Sequence, residues 1–162
     1  MNRTIIRNAI RGPVLAIALV VVFAGTALAT GGTGFHPAVL AHGTLAGSTQ
    51  INMGVIKVQT KGDIDIVSAT VNLDAHATSG WHSHPGVVLV TVASGTVTFY
   101  DALCNGVAHA AGTSFVESGG DIGLARNESD ATAQVYVTYL VPAGTPNSGL
   151  RIDQANPGCP QS

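Results

Sequence analysis

The sequence predicts an all-β domain, a sandwich or barrel of short strands. Three observations predict it. Short apolar stretches rich in Val, Ile, Thr, Tyr and Phe recur between Gly, Pro, Asn and Asp. Residues 133–140, AQVYVTYL, alternate as a strand with one buried face does. Past the first thirty positions, no segment carries apolar residues at helical spacing.

The 162 residues are enough for one domain of ordinary size. Hydrophobic residues make up 46% of the chain, mostly Val, Ala, Leu and Ile rather than aromatics. That content can build a core and argues against disorder. The formal charge of -2 hides an asymmetry. Arg3, Arg7 and Arg11 lie in the first 12 positions, and all nine acidic residues lie beyond residue 60. Without its first segment the chain has a balance of about -5, which disfavours nucleic acid and anionic membrane surfaces as partners.

Residues 1–29 read as a signal peptide. Three arginines precede PVLAIALVVVFAGTALA, an uncharged run of 17 residues from Pro13 to Ala29. Ala27-Leu28-Ala29 fits a small-x-small cleavage site before Thr30. Cleavage leaves about 133 residues and no stable membrane span. The alternative is an uncleaved anchor, because the run sits at the lower limit of a bilayer span. No Cys follows the run and no Arg-Arg pair precedes it, so the general export route is expected. Either way the folded part is expected to be secreted or extracytoplasmic. Cys104 and Cys159 fit that setting as a disulfide, the alternative being two separate thiols.

Residues 30–38, TGGTGFHPA, read as a flexible arm. The domain proper then runs from 39 to 160. Its expected strands lie at 39–41, 55–59, 64–73, 80–84, 87–93, 96–100, 114–117, 122–127 and 133–141.

The residues that carry chemistry are concentrated in Gly80-Trp81-His82-Ser83-His84-Pro85-Gly86. Positions i and i+2 of a strand share a face, so His82 and His84 project side by side. Two imidazoles so placed suit one divalent ion, Zn, Cu, Fe or Mn being the candidates. Trp81 and Ser83 fall on the opposite face, which removes a Ser-His nucleophile. Pro85-Gly86 ends the strand in a turn.

The run Gly80 to Gly95, GWHSHPGVVLVTVASG, resembles the first motif of the cupin superfamily. Gly112 to Asn127, GTSFVESGGDIGLARN, resembles the second. The resemblance covers about residues 39–160 and is to small exported bacterial cupins of one domain. It implies a double-stranded β-helix, or jelly roll, with a pocket between two antiparallel sheets. It also implies that Cys104 and Cys159 are counterparts of a cysteine pair those proteins tend to carry, and that homodimers are a common assembly. Metal-binding cupins usually offer three His and one Glu. The His pair maps onto His82 and His84, but the Glu position falls at Val88 and the third His at Gly123. Asp121, two positions before Gly123, is a candidate further ligand, although Gly119-Gly120-Asp121 is also a turn composition. His76 and His109 read as loop histidines, and His36 and His42 as peripheral. Asn127 is either a pocket residue or a turn residue, and Asn127-Glu128-Ser129 also fits a glycosylation sequon.

Two functions follow as expectations. The first is an exported pocket protein that takes a small molecule, with a divalent metal on an incomplete His82/His84 set. The second is a non-catalytic extracellular binding or structural module without metal. No residue pattern selects a reaction.

Overall fold

Side chains alternate across a strand, and the longest strands show this directly. Within Ile64–Thr78, Val67, Ala69, Val71 and Leu73 are buried while the residues between them are not. Val88, Val90 and Val92 do the same within Val87–Ser94, and Ala133, Val135, Val137 and Val141 within Ala133–Pro142. Each strand therefore offers one apolar face, and most of these residues join one core, with Val67 and Val141 forming a smaller cluster beside Leu150.

The structure is a computed structural model that describes residues 31–161; the signal peptide expected at 1–29 lies outside the described residues. In chain order the strands are β1 (Thr33–Leu45), β2 (Gln50–Met53), β3 (Ile56–Gln59), β4 (Ile64–Thr78), β5 (His82–Ser83) and β6 (Val87–Ser94). They continue as β7 (Thr96–Asp101), β8 (Gly106–Ala110), β9 (Ser114–Glu117), β10 (Gly123–Arg126), β11 (Ala133–Pro142) and β12 (Ile152–Asp153). A single 3₁₀ turn at Asn147–Gly149 precedes β12.

One antiparallel layer runs β1-β4-β11-β6-β9. The other runs β12-β5-β10-β7-β8. The pair Arg126↔Thr78 joins β10 to β4, so backbone bonding passes from one layer into the other and the barrel is nearly closed. This is the expected double-stranded β-helix. β2 and β3 form a separate hairpin.

The flexible arm expected at 30–38 is corrected from Thr33 onward. Those residues begin β1, which pairs with β4 from Thr33↔Thr78 to Leu45↔Ile64. Gly34, at φ 63°, supplies the left-handed backbone at the register shift between Thr33 and Phe35. Local Gly content reads as a loop because the partner strand lies far along the chain. β2, β8 and β12 were not expected as strands either; β2 and β8 are short hairpin partners of β3 and β7, and β12 is a two-residue segment whose partner, β5, lies far along the chain.

Cys104 and Cys159 form a disulfide. It packs in a small cluster with Trp81 and Leu124. The C-terminal segment is laid along β5: Gln154 N donates to Trp81 O at 2.9 Å, Gln154 Nε2 to Ser83 Oγ at 3.0 Å, and Trp81 Nε1 to Gln161 O at 3.1 Å. No helix among the described residues is long and apolar enough to cross a membrane. The bridge fits an oxidising, extracellular setting.

Candidate metal centre

His82 and His84 do share a face, and that face is the interior. Both are buried, with ring centroids 4.8 Å apart and planes at 86°. Trp81 points the other way, fully buried against Leu124 and Cys159. Ser83 is held by Gln154 and takes no part in a Ser-His pair.

The second ring nitrogen of each histidine is already committed. His82 Nδ1 lies 2.9 Å from Gly80 O, and His84 Nδ1 lies 2.6 Å from Leu150 O. A carbonyl only accepts, so each Nδ1–H is the donor. That bond sets the tautomer and leaves Nε2 as the lone-pair nitrogen, the usual outer support of a metal-binding histidine. Both Nε2 atoms face one carboxylate: Glu117 Oε2 is 3.1 Å from His84 Nε2 and 3.7 Å from His82 Nε2. The three ligand atoms lie within 4.8 Å of one another.

This arrangement fits a cation. With Nδ1 protonated, His84 Nε2 and the Glu117 carboxylate are two acceptors in contact. They repel unless a second proton on His84 or a metal ion lies between them. Burial, above all, pushes the pKa of His82 down to about 4, outweighing the opposing pull of Glu117; Arg151 and His84 add to the lowering. His82 is therefore neutral near pH 7 and keeps its lone pair available.

Glu117 was not singled out as a ligand from the sequence. The carboxylate was sought at Val88, and Val88 is buried in the cavity wall. The ladder between β6 and β9 pairs Val88 with Glu117. Directly opposed residues have neighbouring side chains, so the carboxylate comes from the adjacent strand. The sequence holds half of this signal, since residues 114–117 were expected as a strand. The missing half is its register against 87–93.

The other vacant position is filled differently. A Cβ added at Gly123 would meet the Phe99 ring, with Cε2 at 2.7 Å. Phe99 thus takes the space of a side chain at 123. Asp121 is exposed in the turn after Gly119-Gly120 and lies outside the ligand cluster. Its backbone N–H approaches Ser118 O at 3.3 Å, as its turn composition implied.

The remaining candidates are engaged elsewhere. His36 pairs with Asp74 and His76 with Asp130. His42 bridges Asp65 and Asn147, and His109 stacks on Phe115. Asn127 is fully buried, and its Nδ2 donates to Asp74 O and Ala131 O. It does not line the cavity, and the sequon's amide is not free to be modified.

The cluster sits in the wall of a cavity of about 190 Å³ between the layers. Phe35, Leu73, Val90, Val97, Phe115 and Val135 form much of its apolar lining. Tyr139, Asn147 and Arg151 add polar groups. Burial, then the Glu117 charge, pushes the Tyr139 phenol up to about 12, so it stays a neutral donor. Its ring meets His84 edge-on at 5.5 Å. Arg151 Nε donates to Asp153 at 2.7 Å, whereas its Nη2 is shielded from solvent and has no hydrogen-bond partner. An unpaired buried donor costs about 1–3 kcal/mol, and more when it is charged.

The depressed His82 value makes the metal-free protein acid-sensitive. The unfolded chain takes up a proton near pH 6.5 and the folded chain only near pH 4. Stability is therefore complete above the first value and falls as pH drops toward the second. The difference is worth roughly 3 kcal/mol. His42, whose pKa is raised by Asn147 and Asp65, acts oppositely, and its contribution fades as pH rises above 6.5. Urea unfolding of metal-free protein at pH 7 and pH 4.5 is expected to show the loss, and His82→Gln to remove most of it. An unchanged pH slope in that variant would contradict the assignment.

Neither a protein-family model nor a curated protein matches the chain. Solved structures do. A Klebsiella pneumoniae protein with a double-stranded β-helix domain is 19% identical, over 49% of this chain and 69% of that one, with a TM-score of 0.44. The Cnp3 cupin domain of Schizosaccharomyces pombe is 13% identical, over 47% and 56%, with a TM-score of 0.44. The cupin domain of an Enterobacter cloacae transcriptional regulator is 17% identical, over 48% and 82%, with a TM-score of 0.42. These three are a double-stranded β-helix protein and two cupin domains, each overlapping about half of this chain.

Proposed function

We propose that this chain is an exported pocket protein of cupin type that binds a divalent metal through His82, His84 and Glu117 and presents it to a small molecule. One observation carries the reading. Two histidines whose Nδ1 protons are committed to carbonyls turn their Nε2 atoms onto a single, partly buried carboxylate. Two His and one carboxylate with open positions is a donor set suited to Fe(II), and imidazole and carboxylate also accept Zn or Mn. When bound, such an ion would supply Lewis acidity or a site for oxygen or substrate. The residues themselves hold the ligand atoms, keep water out and keep Tyr139 protonated.

A second reading takes the His84–Glu117 contact of 3.1 Å as a hydrogen bond of an imidazolium, with no metal and a binding role only. Elemental analysis of the natively exported protein separates the two. One equivalent of iron, manganese, zinc or copper, absent from the His82→Ala/His84→Ala variant, is the expected result. Metal-free protein that also shows no His-dependent response to added zinc or copper would remove the first reading.

A further inference from the structure

We propose that the cavity takes a small monocarboxylate with an apolar body, its carboxylate held by Arg151 beside the His82/His84/Glu117 cluster. The inference rests on the metal reading for its charge argument, and on Arg151 and the lining for the rest. Arg151 lies on the segment that follows the 3₁₀ turn, one residue after the carbonyl that anchors His84. It lines the same cavity as the cluster. Asp153 occupies its Nε, and Nη2 has no partner. A guanidinium presents its donors as a planar fork that matches a carboxylate.

Charge points the same way. A dication, a guanidinium and one glutamate, with two neutral imidazoles, leave a surplus of positive charge even after Asp153 is counted. In an apolar enclosure such a surplus calls for an anion. Tyr139, which lines the same cavity and meets His84 edge-on, offers a further donor through its phenol. Apart from the neutral Asn147 amide, the rest of the wall is Val, Leu, Phe, Ala and Pro, which suits a hydrocarbon body and gives a second carboxylate no cationic partner. The volume of about 190 Å³ is that of about six liquid waters and is smaller than typical drug-sized pockets. It suits a ligand about the size of benzoate or hexanoate.

Calorimetric titration of the zinc-loaded and zinc-free protein with benzoate, hexanoate, benzamide and oxalate tests the proposal. Benzoate and hexanoate are expected to bind, with benzamide and oxalate at least ten-fold weaker. Arg151→Gln is expected to lose benzoate at least ten-fold while its zinc affinity stays within about three-fold. Arg151→Lys, which keeps the charge without the fork, should fall between. Equal binding of benzamide, tighter binding of oxalate, no binding of benzoate, or benzoate binding unchanged in Arg151→Gln would each overturn it. Zinc titration of the same samples keeps the two readings apart. Zinc binding without benzoate binding defeats this inference alone, whereas benzoate binding through Arg151 without zinc defeats the metal reading alone.

Discussion

Glu117→Gln is expected to lower the affinity for a divalent ion by at least about 100-fold, and Val88→Glu in a Glu117→Val background to restore part of it. The first expectation follows from donor chemistry. An amide is neutral and a far weaker ligand than a carboxylate, and even outer-shell changes at metal sites cost about 10–100-fold. The second follows from the ladder. Val88 and Glu117 are directly paired on β6 and β9, and both line the cavity that holds His82 and His84. A carboxylate placed on either strand approaches the same two Nε2 atoms, and the exchange roughly conserves volume in the wall. Zinc calorimetry on the wild type, Glu117→Gln and the double variant measures this, with circular dichroism confirming that each folds. Undiminished affinity in folded Glu117→Gln would show that the carboxylate is not a ligand.

Cys159→Ser is expected to destabilise the protein by about 4 kcal/mol, because the bridge closes a separation of 55 residues that is otherwise free in the unfolded chain. The effect should reach the metal centre as well. The segment between the 3₁₀ turn and Cys159 carries the Leu150 carbonyl bonded to His84 Nδ1, the Arg151 guanidinium, and β12 paired to β5. Loosening its end frees His84 to turn, so metal affinity should fall with stability. Urea unfolding with and without reductant, beside zinc titration of the same samples, reads both. A midpoint shift worth less than about 1 kcal/mol would contradict the entropic account.

Some of this was legible in the chain alone, for physical reasons. The two-residue repeat of a strand is local, so the inward face of β11, the common face of His82 and His84, and the opposite placement of Trp81 follow from spacing. The turn character of Gly119-Gly120-Asp121 is local too, and it kept Asp121 out of the site. The expectation of export and an even cysteine count pointed to the Cys104–Cys159 bridge.

The rest depends on which strands pair and in what register, and these are properties of distant segments. Register placed Glu117 opposite Val88, 33 positions from His84 in sequence, and the return of the C-terminal segment brought Leu150 O to His84 across 66. It likewise turned a Gly-rich stretch into β1 and set Phe99 against Gly123. Side-chain alternation determined which residues face inward; only the folded barrel decided which of those inward residues meet, because their meeting is set by backbone pairing between strands that no local pattern records.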